Sequence, residues 1–492
     1  MMGSGHTPRH AGYSLALAVG CAALAPNAAG ATEVRTVSQT IGEGYSVRIP
    51  GADELLLRRR RLVQYVNLGV LDMLPPKLGE TRRDAADGQL RLMTSMRLRH
   101  DFGDYLRDGS DVAAGALQSV DGRQIDLLFG YLEGVRLARW IDFRLGRQFE
   151  MSGLDWYAFD GAWIRAHTPA YFAVEVFSGL QVDGQQVFGY PTVELDGTAG
   201  TAEDRGYRWM IGTALSASGI SWLDARVAWR RTWSPEALNA NISADDGTQG
   251  LAGAINQDLV SASVAGLAFG GRLTPYAALR YNLGTSRLDD VTFGVQAAIT
   301  ERHTIRALYL RTNPSFDLDS VFNLFTFEPI DDARLVYEVR PGKRWTLAAR
   351  GQMRLFSNAA TAEGLAPEGA VEAGFGGGAS AQFRIPRFAA RVDGYGLGGE
   401  GGVRAGGSID TRTMVAWDRL GIDARVYGNY YDDVDALARR GYGLAFQAGL
   451  NARLWRGIHL ALLGEELLST HYTQAFRLLA TLSIEWSTRF GR

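Results

Sequence analysis

Catalysis in this chain would have to come from histidine, serine and the charged residues, because its one cysteine, Cys21, lies in an N-terminal apolar run. His100 and Asp101 are adjacent, and neighbours on a strand point to opposite faces, which separates a base from its orienting carboxylate. His167 precedes the turn His167-Thr168-Pro169, and His303 lies in another. Ser469 and His471 share a face, yet neither sits in a nucleophile-elbow motif. No His-Glu-x-x-His is present, and the glycine runs 374–378 and 394–407 lack the Lys-Ser/Thr and the strand-to-helix context of a phosphate loop. The expectation is therefore no catalytic residue, no metal, no cofactor and no enzyme.

Arginine is the residue type placed by a rule. Lys occurs only at Lys77 and Lys343, so nearly all cationic positions carry a planar fork of donors suited to carboxylates and sugar hydroxyls. Arg91, Arg97 and Arg99 alternate with Leu90, Leu92, Met96 and Leu98. Asp142 and Arg144 alternate with Ile141, Phe143 and Leu145, and Asp224, Arg226 and Arg230 with Val227, Trp229 and Trp233. Arg350 and Arg354 continue the pattern, and Asp160 and Arg165 join the set. Such a period of two gives a strand one apolar and one charged face. If the strands close on themselves, the charged face lines a lumen and these twelve residues are the expected pore lining.

The elements that must hold them are read most clearly from Ile125 to Ser178, a run of alternating segments joined by short links. Similar segments recur to the end of the chain, about twenty by count, with no second core pattern of the kind a sandwich needs. Short links such as Ser218-Gly219-Ile220, Ile385-Pro386-Arg387 and Trp455-Arg456-Gly457 take every other connection. Longer ones, Val182 to Asp204, Ser234 to Gln257, Asn313 to Asp332 and Tyr431 to Arg440, fall between them and gather Asp245-Asp246, Asp331-Asp332 and Asp432-Asp433. Those acidic tips read as solvated loops, with a divalent cation shared with lipopolysaccharide as the alternative. Phe476, Leu478, Ala480, Leu482, Ile484, Trp486 and Phe490 occupy one register broken only by Thr488, as in the closing strand read by the outer-membrane barrel assembly machinery. Trp140, Trp156, Tyr157, Trp233, Trp417, Tyr430 and Trp455 are placed near strand ends, where an interfacial girdle would need them.

Bulk properties agree. The 492 residues carry no linker composition after residue 55, and a mean hydropathy of -0.09 excludes a bundle of spanning helices but not a barrel. Arg9, the apolar run Tyr13 to Ala25 and Ala29-Gly30-Ala31 read as a signal peptide over residues 1–31. Residues 32–54 lack a period and are expected to be a periplasmic lead-in, leaving 55–492 as a single barrel. The mature chain would contain no cysteine, which suits passage through an oxidising periplasm. The net charge of -2 says little about partners, and arginines spread over many strands disfavour nucleic acid.

Leu145-Gly146-Arg147-Gln148, then Gly153-Leu154-Asp155-Trp156 and Phe159-Asp160-Gly161-Ala162-Trp163-Ile164-Arg165, resemble the segment of alginate-export-type outer-membrane porins in which an LGRQ strand is followed by an LDW element and an FDG strand. The resemblance implies a monomeric barrel of about eighteen strands (roughly 16 to 22) that conducts an anionic polysaccharide or another small solute. It marks Arg147, Gln148, Asp155 and Trp156 as motif positions. Arg147 falls on the apolar register, so it is expected at the membrane edge or in a hydrogen-bonded bend, with Arg144 facing the pore. The sequence thus predicts an all-β, antiparallel, up-and-down transmembrane barrel in the cell outer membrane, in contact with lipid and lipopolysaccharide. Its expected function is the passage or export of hydrophilic solutes, anionic or carbohydrate ones included. A plugged structural or surface-interaction barrel is the first alternative and a barrel hydrolase the second.

Overall fold

A computed structural model of the chain describes residues 32–48, 55–74, 88–102, 122–152, 155–182, 208–233, 255–313, 330–357, 371–399, 402–416, 419–432, 440–470 and 473–490. The signal peptide expected over 1–31, Trp417, Asp245-Asp246, Asp433 and His471 lie outside them, as do the side chains of Asp155 and Trp156.

Twenty-two strands account for nearly all of it. In order they are β1 Thr32–Arg48, β2 Leu55–Leu71, β3 Gln89–Asp101, β4 Gly122–Leu137, β5 Ile141–Ser152, β6 Asp155–His167, β7 Phe172–Gln181 and β8 Trp209–Ala217. There follow β9 Leu223–Trp233, β10 Ile255–Gly266, β11 Leu273–Asn282, β12 Arg287–Ala298, β13 His303–Thr312, β14 Ile330–Val339 and β15 Trp345–Ser357. The last seven are β16 Val371–Ile385, β17 Phe388–Gly399, β18 Val403–Val415, β19 Leu420–Asp432, β20 Arg440–Trp455, β21 Ile458–Ser469 and β22 Gln474–Phe490. Each pairs antiparallel with its neighbours in sequence, and β22 pairs with β1 from Thr32↔Phe490 to Arg48↔Gln474. Closure leaves the sheet no free edge, which is what permits β structure in lipid.

The up-and-down barrel expected from the alternation is therefore present, at the upper end of the expected strand range. One boundary is corrected. Residues 32–48 are no lead-in: β1 is a wall strand hydrogen-bonded along its length to β2 and β22. By register its outward positions are Thr36, Ser38, Thr40, Gly42 and Gly44, where other strands carry large apolar residues, so no hydropathy period marks it. Gln64 compensates locally, its side chain bonding those of Ser38 and Thr40.

The two faces of the wall follow from pairing. Phe143, Ile164 and Val176 are mutual partners, and with Leu145, Leu215 and Val227 they stand outward; Ile164, Val176 and Leu215 are 49%, 48% and 52% exposed. The opposite register brings together Arg91↔Glu133, Arg165↔Glu175 and Ser216↔Arg226, and faces the lumen. Links after even-numbered strands gather at the end that holds residues 32 and 490, called here the terminal end, and most are tight: Thr168–Tyr171, Arg340–Arg344, Pro386–Arg387 and Arg456–Gly457. Among the described residues, 283–286 form a short link at the other end. Exposed Trp140 and Trp455 belong to terminal-end turns, whereas Tyr157, expected in a girdle, is 5% exposed inside the lumen.

Glycine sets the closest approach of strands in the motif segment. Gly146 pairs with Gly161 and Gly161 with Gly179, and a Cβ on Gly161 would fall on the Ser178 carbonyl oxygen. Gly161→Ala is expected to lower the yield of folded barrel severely, read as loss of the compact, heat-modifiable band on a gel, with the unfolded chain remaining.

Candidate solute pathway

The lumen is divided by its own wall. The Cα atoms of β5 and β10 come within 8 Å of each other. Five strands at a spacing of ~4.8 Å would separate them by about 24 Å along the wall, so the wall between them curls tightly and its lumenal face closes on itself as a lobe. Tyr157, Phe159, Trp163, Phe177 and Met210 fill it as one buried cluster, with Tyr157 stacked on Phe177 at 5.3 Å. Its charges form a chain. Glu133 accepts from Arg91 (2.5 Å) and Arg144 (3.2 Å), Arg144 reaches Glu150 (3.2 Å) and lies 4.5 Å over Trp163, and Arg226 binds Glu175 (2.7 Å). Arg226 also stands 3.8 Å from Glu150, an ion pair between β9 and β5, which are not neighbours in the sheet. Arg165 donates to Ser216 and lies 3.8 Å from Glu175, while Arg230 covers the Tyr157 ring at 4.7 Å and donates to Gln257.

The other half of the wall is wetter. Arg306, Arg350, Arg391, Arg412 and Arg425 line it with side chains 39–62% exposed, above clefts of about 460 and 210 Å³. Its carboxylates are shared. Asp393 serves Arg350 (2.9 Å) and Arg391 (3.6 Å), Glu338 serves Arg306 (3.0 Å) and Arg340 (2.8 Å), and Asp332 serves Arg334 (2.6 Å) and Arg354 (3.0 Å). Two guanidinium groups on one carboxylate leave a net positive charge at each of three places, and arginine does not give up its proton in this setting. Asp410 with Arg425 and Asp423 with Arg412 and Asn451 continue the wall in balanced pairs.

Of the residues chosen from sequence, Arg91, Arg144, Arg165, Arg226 and Arg230 meet in the lobe, and Arg350 and Arg354 belong to the wetter wall. Arg97 pairs with Asp126 (2.7 Å), and Arg99 shares its register opposite Gln124. Asp224 is exposed at the terminal end, and Asp142 binds His167 (2.7 Å). Asp160 is corrected: it opposes Arg147 on the register of Leu145 and Ile164, the outward face, and receives two bonds from that guanidinium at 2.6 and 2.7 Å. Arg147 also donates to the Leu127 carbonyl; it lies in the middle of β5, not at an edge or in a bend. Gln148 is buried on the lumen side and donates to the Gly161 carbonyl. Asp155 and Trp156 open β6 opposite Ser152 and Met151.

The acidic tips also change reading. Asp331 and Asp332 are strand residues held by Tyr309 and Arg311 and by Arg334 and Arg354, so neither is a free loop ligand. Among residues the sequence did not single out, Glu133 and Glu175 matter most. Each is a lone acid in an apolar stretch, and only the strand register reveals it. The glycines of β16 and β17 make room for side chains laid on the wall: a Cβ on Gly378 would meet Arg350 Nε at 2.7 Å and the Gly394 oxygen at 2.5 Å. Gly378→Ala is expected to push Arg350 away from Asp393 and to part β16 from β17 at the Gly394 carbonyl, lowering both the yield of folded barrel on a gel and the single-channel conductance of the fraction that folds.

No known protein family and no curated protein matches the sequence. Similar solved structures include Pseudomonas aeruginosa OpdK with vanillate (10% identity, 93% of this chain and 99% of that one, TM-score 0.42). Others are Acinetobacter baumannii OccAB1 (8%, 94% and 99%, 0.43) and a BenF-like porin from Pseudomonas fluorescens (8%, 93% and 99%, 0.41). At such identities and scores the likeness assigns neither solute nor residue roles, and these come from the chain's own geometry.

Proposed function

We propose that the chain is an outer-membrane channel passing hydrophilic solutes, anions in preference to cations, along the lumen wall formed by β13 to β20. The observation that carries this reading is the set of shared carboxylates: Asp332, Glu338 and Asp393 each hold two arginines on that wall. A net positive field in a low-dielectric wall lowers the barrier to anions without any turnover. The outward apolar face and the absence of sheet edges support a place in the membrane as a monomer, in contact with lipid and lipopolysaccharide and inserted by the barrel assembly machinery. Short links at the terminal end put that end in the periplasm. The LGRQ and FDG segments favour the alginate-export-type family within such channels, since Arg147–Asp160 and Gln148–Gly161 join the two strands that carry the motif.

Planar bilayers test the reading. Purified protein should give discrete conductance steps and, in a salt gradient, a reversal potential on the anion side. Silence at every voltage and salt would instead favour the plugged structural barrel, for which the filled lobe is the supporting feature.

A further inference from the structure

We propose that Ser218, His167 and Asp142 form a hydrolytic centre for carboxylic esters at the terminal-end mouth of the lumen. Asp142 is near the start of β5, His167 ends β6, and Ser218 follows β8, so three wall segments converge there. Ser218 Oγ lies 3.0 Å from His167 Nδ1, and His167 Nε2 lies 2.7 Å from Asp142 Oδ2. The other oxygen of that carboxylate, Oδ1, accepts the Arg136 backbone N–H at 2.6 Å. With both Asp142 oxygens acting as acceptors, Nε2 carries a proton, and in the neutral ring Nδ1 is then the acceptor for Ser218, the tautomer a general base requires.

The ring is oriented the opposite way round from a chymotrypsin-type triad, with the nucleophile on Nδ1. That choice does not affect the roles, since each nitrogen serves one partner. The backbone holds the group in place: His167 N–H donates to the Trp140 carbonyl (2.7 Å) and Ser218 N–H to that of Tyr171 (2.8 Å). Tyr171, whose carbonyl receives the Ser218 N–H, holds a left-handed φ of 63°, and a strained backbone around a nucleophile is a recurrent feature of reactive sites. Among the described residues the Gly219 N–H makes no hydrogen bond, leaving a donor next to Ser218 for a developing oxyanion.

The step balances with water alone. Ser218 Oγ bonds to the carbonyl carbon as its proton moves to His167 Nδ1. The bond to the leaving alkoxide then breaks and the alkoxide takes that proton. Water attacks the acyl-serine by the same route, releasing the carboxylic acid and restoring Ser218. Ser218 and His167 are the catalytic residues, and Asp142 is a positioning residue that fixes the tautomer.

The full folded barrel in detergent would be treated with a fluorophosphonate probe and, separately, with 4-nitrophenyl acetate, beside a known serine hydrolase as control. The expected result is a mass adduct on the peptide containing Ser218, absent in Ser218→Ala and formed about a hundredfold more slowly in His167→Gln. Asp142→Asn should slow it and Asp142→Glu recover part of the rate, whereas a purely structural Asp142 would leave the adduct rate of the folded variants unchanged. Each variant is first shown folded by heat-modifiable migration. No adduct on the folded wild type, or an adduct whose rate ignores His167→Gln, overturns the proposal, and bilayer conductance is unaffected by either outcome.

Discussion

Replacing Arg226 with Ala should destabilise the folded barrel by about 3–5 kcal/mol and, in the fraction that still inserts, widen the channel. Arg226 ties β9 both to Glu175 at 2.7 Å and, across the lobe, to Glu150 at 3.8 Å. Glu175 is nearly inaccessible, its side chain 3% exposed, so removing its main partner leaves a carboxylate in a dry site with Arg165 3.8 Å away and the Ser216 hydroxyl. The loss is mostly the cost of that stranded charge, not the intrinsic strength of the pair. Arg226→Ala combined with Glu175→Gln should therefore recover much of the stability while keeping the lobe untied. Urea unfolding followed by tryptophan fluorescence measures the first effect and single-channel conductance the second. Equal stability of the single and double variants would show that the stranded carboxylate is not the cause.

Converting Arg350, Arg391, Arg412 and Arg425 together to Glu should reverse the ion selectivity of the channel from anions to cations. Each conversion changes the wall by two charges, and all four positions line the wetter half, where their side chains are 39–62% exposed. Converting Arg97 and Arg144 to Gln should change selectivity far less, because both are locked to Asp126 and to Glu133 and Glu150. Reversal potentials in a tenfold salt gradient separate the two sets, and the difference should shrink as salt rises and screens the wall. An equal response from both sets would mean that the lobe is part of the solute path.

Alternation in the sequence makes most of this wall legible. Ile141, Phe143 and Leu145 against Asp142 and Arg144 give β5 its faces, and the same rule places β3, β9 and β15. It failed where its premise failed. β1 presents Thr36, Ser38 and Thr40 outward and so has no period to read. Alternation puts Asp160 on the polar face of its strand, but charge on the outer wall is tolerable when a partner neutralises it on the spot, and Arg147 does so with two bonds. The lobe was beyond reach for a different reason. Nothing local in Glu150 or Arg226 says that strands four apart in the wall will touch, because that contact depends on how a closed sheet buckles around its aromatic filling. The Ser218, His167 and Asp142 cluster was hidden likewise: its members are far apart in the chain, and each looks ordinary alone.

The seam between β1 and β22 bears on how the molecule is made. Glu43 bonds Arg477 and Glu33 bonds Arg489, joining residues 434 and 456 positions apart. The first strand to leave a ribosome must stay unpaired on one side until the last is complete, so its exposed edge is a hazard throughout synthesis and transit. Contacts of such separation reward the chain only after nearly all of its entropy has been surrendered, which predicts slow, all-or-none closure and a chain that depends on being held unfolded beforehand.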